Sequence, residues 1–346
     1  MLFSKSNSGY FIDLSDHTCV IARTNSLRTP LTVEEIRCCP ADKPAEIATA
    51  LADLQPKKRS GSKLTHAVCA VYPGSGLVRR AVIDPKRMEE SGYLDEAVST
   101  NCRVSPSEYM LAAVSSRTGA DVHASADKDV LFAGMSLQDV SVAQKRLLSL
   151  GIYPERLELG TLSTLGGVID FRAQAEISAP TLVLEVKNDT IQSFVVSDTG
   201  VEVARLINQG IDAMIPVVQK ELGLKDEESA RRLFHSNTFD FTGMAAAFTK
   251  KLIKELQSSI GFYEVQTGQS IGQVLCTYVP SKLGWIQAAI ASQLGVDSLD
   301  LSYGAWLTAR NINLTPKLQA DYGSGAHLLG LYSLMLNHGN AAVRKN

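Results

Sequence analysis

Residues 181–200 read TLVLEVKNDTIQSFVVSDTG, two runs with apolar residues at every second position, joined by the polar turn Lys187-Asn188-Asp189. That period describes two β-strands in one hairpin. The first strand ends with Glu185, and Thr190 follows five positions later at the start of the second. The arrangement recurs near the N-terminus. There GYFIDLSDHTCVIAR sets Asp13 at the end of one apolar strand and Thr18, again five positions on, at the start of the next. Two hairpins, each with an acid before its turn and a threonine after it, predict an internal duplication that divides the chain into related halves. Two acidic turns facing each other across a cleft are suited to holding a phosphate and its metal.

Composition narrows the remaining choices. A chain of 346 residues is long for one core and predicts two domains. Apolar residues at 45% and charged residues at 20% describe an ordinary globular protein, and a formal charge of -2 gives no reason to expect nucleic acid as a partner. The apolar runs are strand-sized, and MLFSKSNSGY lacks the continuous apolar core of a signal peptide. The expectation is a cytoplasmic protein with no direct membrane insertion, whose membrane connection comes through a partner. The six cysteines show no C-x-x-C pair and no zinc spacing, so they are read as reduced, mostly buried thiols, with Cys38 and Cys39 as strand residues. No metal-ligand set and no Ser/His/Asp or Cys/His constellation is visible. The six histidines fall in separate segments, with His66 and His235 read as packing or surface residues.

Working outward from the two hairpins, the pattern predicts a third strand over 33–39 and an amphipathic helix over 44–54 with Ile47, Leu51 and Leu54 on one face. The basic run 57–63 reads as a solvated linker. A strand over 66–72 runs into the turn Pro73-Gly74-Ser75-Gly76, followed by a strand over 77–83 and helical sequence over 85–104. Strands over 110–114 and 130–135 belong to a small subdomain. The amphipathic helix over 137–150 is stopped by Gly151, and a strand over 153–159 and a short helix over 162–171 follow. The second half predicts a strand over 201–207, a helix over 210–222 kinked at Pro216, and a helix from the acidic turn at Asp226 to Phe234. A long helix over 244–263, a strand over 274–279, a helix over 285–294 stopped by Gly295 and a closing helix over 324–336 complete the chain.

Five stretches together resemble the PilM family, actin-like proteins of type IV pilus assembly machines: residues 9–22; 72–75 with Arg79 and Ile83; 129–162 (DVLFAGMSLQDVSVAQKRLLSLGIYPERLELGTL); 181–224; and 251–266 (KLIKELQSSIGFYEVQ). Their order and spacing are more specific than any one of them. The resemblance implies an α/β actin-like fold, two RNase H-like halves around a central cleft with an FtsA-type small subdomain. Residues 1–72 and 151–179 would form the first large subdomain, closed by a helix over 324–340, and 73–150 the small one. Residues 180–212 and 271–323 would form the second large subdomain, and 213–270 a second small helical one.

In the family the first phosphate turn reads D-x-G-x-x-[ST], its acid reaching Mg²⁺ through water and its glycine letting backbone N–H groups close on phosphate. Asp13 and Thr18 remain here, but Ser15 replaces that glycine. In the second turn Glu185 stands where the family has Asp, and Lys187 where it has Gly, before Thr190. The G-G-G loop after the late strand reads Cys276-Thr277-Tyr278-Val279-Pro280, Gln209-Gly210 keeps only part of a G-G pair, and Ala230 replaces an acid. The functional reading makes Asp13, Ser15, Thr18, Glu185, Lys187, Thr190, Gly210, Thr277 and Tyr278 a site for ATP and Mg²⁺. The bland reading, which the altered glycines favour, makes them inherited caps and turns of a degenerate site that holds no cofactor.

The resemblance also implies a partner: a PilN-like single-span membrane protein whose short N-terminal peptide docks between the first large subdomain and the 73–150 subdomain. Position suggests Leu77, Arg79 and Arg80 as contacts. Other pilus-machine components, and a second copy of the chain, are compatible partners. Residues 311–316, NINLTP, are similar to the I-N-L-L-P motif of such peptides; beside the plain reading as a strand end and loop, they suggest docking in the same groove. The reading is then a non-enzymatic cytoplasmic scaffold, peripheral at the inner membrane through its partner. One alternative is an ATP-binding switch or slow ATPase. Another is the cytoplasmic domain of a type II secretion L protein, which has the same fold but continues into a membrane span, whereas this sequence reaches Asn346 without one.

Overall fold

In the computed structural model, which describes residues 8–55, 64–124, 127–236 and 238–343, each hairpin grows into a sheet of its own, and five strands of the two sheets follow the same order. The first is β1 (Gly9–Leu14) with β2 (Thr18–Thr24), extended antiparallel by β3 (Leu31–Pro40). Helix α1 (Pro44–Leu54) has Pro at its first turn, where a missing N–H costs nothing, and buries Ile47, Ala50, Leu51 and Leu54. Strand β4 (Thr65–Val71) then lies parallel beside β1.

After β4 the chain leaves this sheet for a smaller antiparallel one, made of β5 (Leu77–Val82), β6 (Tyr109–Ser115) and β7 (Asp129–Ser136) in the order β5-β7-β6. Helix α2 (Tyr93–Cys102) covers one face, packing Tyr93, Ala97 and Val98 with Ala81, Ile83, Val130 and Phe132. The helical sequence expected over 85–104 is therefore split. A 3-10 turn holds Pro85–Arg87, and α2 starts only after Gly92, whose φ of +83° breaks the helix. Helix α3 (Leu137–Ser149), capped by Ser136, leads to β8 (Ile152–Leu159), which returns to the first sheet parallel to β4, and α4 (Gly160–Gln174) follows. The basic run 57–63 lies outside the described residues.

The second hairpin, β9 (Thr181–Val186) and β10 (Ile191–Ser197), is likewise extended antiparallel by β11 (Gly200–Ile207). Four helices follow: α5 (Ile215–Glu221), α6 (Glu227–Phe234), α7 (Ala245–Thr267) and α8 (Trp285–Leu294). Between α7 and α8, β12 (Gln273–Thr277) pairs parallel to β9, and β13 (Asp297–Ser298) pairs parallel to β12. The order β11-β10-β9-β12-β13 repeats β3-β2-β1-β4-β8 strand for strand. The duplication expected from two hairpins thus extends to whole sheets. Pro216 does not kink a helix: it sits in the first turn of α5, after a 3-10 turn over Ile211–Met214.

The last stretch departs from expectation. The two units are Met1–Glu176 with Leu301–Asn346, and Ile177–Asp300, so residues 301–323 group with the first half rather than the second. Helix α9 (Gly304–Ala309) leads to β14 (Ile312–Leu314), which adds parallel to the outer edge of β3, before α10 (Pro316–Tyr322) and α11 (Leu329–Val343). Asp170 on α4 fixes this path, accepting bonds from Arg310 Nε and Nη2 at 2.8 Å each and from Trp306 Nε1 at 2.7 Å. NINLTP is therefore a sheet edge of its own chain, and the docking reading of that segment is corrected. Among the described residues no helix is long and apolar enough to cross a membrane.

Candidate functional site

The first turn is closed by hydroxyl groups. Asp13, at the end of β1 between Val20 on β2 and Ala70 on β4, is 2% exposed. Tyr72, just past β4, donates its phenolic O–H to Asp13 Oδ1 at 2.8 Å. Gly160 makes room for that ring, since a Cβ there would lie 2.0 Å from Tyr72 Cζ. The Ser15 hydroxyl accepts from the N–H of His17 (3.3 Å) and of Thr18 (3.1 Å) and donates to the Thr18 carbonyl (3.1 Å). The Ser15 N–H donates to the same carbonyl at 2.9 Å. Backbone donors that a glycine turn would offer to an anion are thus engaged by the side chain that replaced the glycine.

Charge closes the second turn. Residues two apart on a strand share a face, so Lys187 folds back on Glu185. Its Nζ lies 3.2 Å from Glu185 Oε1, with the two residues only 6% and 2% exposed. The Lys187 N–H donates to the Thr190 carbonyl at 2.9 Å, and the Thr190 hydroxyl turns to Asp189 at 3.2 Å. Gly210 serves packing: a Cβ there would be 2.5 Å from the Asn188 carbonyl. The N–H groups of Ile211 and Asp212, at the start of the next helical turn, donate to Lys187 O (3.0 Å) and Asn188 O (2.8 Å).

Strand pairing places Gln192, Glu185 and Thr277 side by side on β10, β9 and β12, a buried polar row. The Thr277 hydroxyl donates to the Leu184 carbonyl at 3.4 Å. Tyr278 has φ +63°, backbone suited to glycine but carrying a side chain. Ala230 is fully buried in the apolar core of this unit. Asp13, the Ser15 hydroxyl, Lys187 and the Thr190 hydroxyl thus each have a partner within their own unit.

A second feature lies wholly inside the first unit. A cavity of about 200 Å³ is bounded by Leu14, Val71 and Tyr72 from the strand ends, by Pro73-Gly74, and by Asp139, Val142 and Arg146 of α3. One polar cluster sets its rim. The Ser75 N–H (3.1 Å) and hydroxyl (2.5 Å) both donate to Asp139 Oδ2, Ser136 N–H donates to Ser75 Oγ (3.0 Å), and Ser136 Oγ caps Asp139 N–H (3.0 Å). The turn Pro73-Gly74-Ser75 thereby clamps the start of α3. Arg146 reaches the Ala41 carbonyl at 3.0 Å.

Leu77, Arg79 and Arg80, named from sequence as groove contacts, lie on the edge strand β5 and do not line this cavity; Arg80 pairs with Asp129. The lining residues Tyr72, Asp139, Val142 and Arg146 were not named from sequence as contacts. The spacing Ser136-x-x-Asp139 marks a helix cap, but nothing local signals that Asp139 also takes Ser75. The thiols are as expected, five of six buried; burial pushes Cys69 and Cys276 each up to about 12, so neither presents a thiolate. His66 packs at a tilt against Tyr153 and bonds Glu155, a surface arrangement.

No protein-family model matches the sequence, and no curated protein matches it. Among solved structures, the chain is similar to the PilM-PilN type IV pilus biogenesis complex, with a TM-score of 0.66 at 15% identity, over 96% of this chain and 99% of that one. A Bacteroides thetaiotaomicron protein with an actin-like ATPase fold matches at a TM-score of 0.46 and 9% identity, over 97% and 98% of the two chains. The cytoplasmic domain of EpsL, an inner membrane component of the Vibrio cholerae type II secretion system, matches at 0.36 and 10%, over 58% of this chain and 71% of that one. The two weaker likenesses carry no argument. The first bears out, at the level of the α/β fold, the resemblance to PilM.

Proposed function

We propose that this chain is a PilM-like scaffold of a type IV pilus machine that binds the N-terminal peptide of a PilN-like inner-membrane protein and works without nucleotide. The observation that carries the reading is the likeness to a chain of the PilM-PilN complex over nearly the full length of both. The cavity between α3 and the ends of β1 and β4 supports a peptide site, because it joins apolar walls to the charges of Asp139 and Arg146. The self-satisfied turns support a scaffold over an ATPase, since phosphate and metal would each have to break an existing bond to enter. On this reading the protein reaches the inner membrane through its partner.

The test is fluorescence anisotropy with a labelled peptide from the partner's N-terminus, alongside titration calorimetry with Mg-ATP. Val142 is 55% exposed and lines the cavity, so Val142→Glu should weaken the peptide at least about tenfold with little loss of stability. Unchanged affinity in that variant would move the peptide elsewhere. Saturable heat from Mg-ATP with the wild-type chain would replace the scaffold by an ATP-binding switch.

A further inference from the structure

We infer that the second turn carries its own cation: the Lys187 ammonium stands where a divalent ion would meet Glu185, and removing it uncovers a divalent-cation site. The inference rests on the nucleotide-free reading and extends it from absence of a ligand to the residue that excludes it. A carboxylate as buried as Glu185 must be neutralised, paired or metal-bound. The Lys187 Nζ supplies the opposite charge at 3.2 Å, yet Glu185 Oε1 accepts no hydrogen bond from any described residue. That oxygen therefore keeps its lone pairs for a cation, here the lysine's.

The surroundings are those of a cation site. Gln192 and Thr277 flank Glu185 in register on β10 and β12, bringing oxygen-bearing side chains to the row that the carboxylate occupies. Glycine at position 187 would leave that space empty, and the Glu185 charge would again need a mobile ion. A lysine two residues on, sharing the face of the acid, fills it permanently. A tethered ammonium has no dissociation step, so this turn stays closed at any metal concentration.

Thermal unfolding in chelator provides the test, with Glu185→Gln, Lys187→Met and the double variant. Removing one member of a buried pair should lower Tm by on the order of 10 °C, and removing both should recover most of that loss. A double variant no more stable than the weaker single one overturns the inference, whether or not the singles fold.

The second measurement titrates Lys187→Gly with Mg²⁺ and Ca²⁺. Tm should rise saturably in this variant, and neither in the wild type nor in Lys187→Gly combined with Glu185→Gln. A rise that persists without Glu185, or one equal in the wild type, sinks the idea. Failure of the wild type to bind the partner peptide would remove the scaffold reading and leave these results standing.

Discussion

The two turns occupy equivalent places in two copies of one sheet, and they have been closed by different chemistry. At the first, neutral hydroxyls do the work: Tyr72 on the acid and Ser15 on the backbone donors. At the second an ammonium answers a carboxylate, and helix-start N–H groups bond the carbonyls of the turn. A hydroxyl gives the acid one hydrogen bond, whereas a lysine sets an opposite charge beside it. The comparison teaches that one turn geometry can be satisfied either through its backbone donors or through its acid. In the first turn a side chain occupies backbone N–H groups, and in the second a side chain occupies a carboxylate.

The sharpest way to break this symmetry is at the glycine that braces the second turn. Gly210→Ala would drive a Cβ to 2.5 Å from the carbonyls of Lys187 and Asn188, backbone atoms with nowhere to go. The expected cost is about 3 kcal/mol by urea unfolding. A loss under about 1 kcal/mol would mean the turn is held by something other than its contact with the next helix. At the first turn the corresponding brace is a side chain. Tyr72→Phe should cost about 2 kcal/mol, since a buried carboxylate loses a hydrogen bond while the ring still packs on Gly160. A neutral outcome would show Asp13 to be satisfied without the phenol.

How far these sites could be read in advance follows from the distance over which each contact acts. The hairpins, the apolar face of α1 and the stop of α8 at Gly295 were legible because alternation, three-to-four spacing and a left-handed glycine are local signals. The Lys187 and Glu185 pair was half legible: the spacing shows a lysine where the resemblance calls for glycine, but only the fold shows the ammonium turned back on the acid. Tyr72 and Asp13 lie 59 residues apart, and Arg310 and Asp170 lie 140 apart. No pattern within a window connects either pair. The return of 301–323 to the first half was hidden for a related reason. It depends on β14, a strand of three residues, too short to show alternation. The cavity beside α3 was not legible either, because its lining joins residues 14 to 16 and 71 to 74 to residues 139 to 146 of α3, segments that no local pattern links.

The smallest effect sharpens the comparison furthest, because the two halves should answer in opposite ways. Ser15→Gly removes the hydroxyl that holds the His17 and Thr18 N–H groups and lengthens no side chain, so the expected loss is about 1 kcal/mol. Those two donors would then be open to solvent on the turn that follows Asp13. An open run of backbone N–H groups attracts anions. Inorganic phosphate should therefore shift the amide resonances of His17 and Thr18 in Ser15→Gly and leave those of the wild type in place. At the second turn the matching substitution, Lys187→Gly, should favour a cation and not an anion, since what it exposes is a carboxylate. Phosphate shifting both variants alike, or neither, would show that the two turns do not differ in the charge they expose.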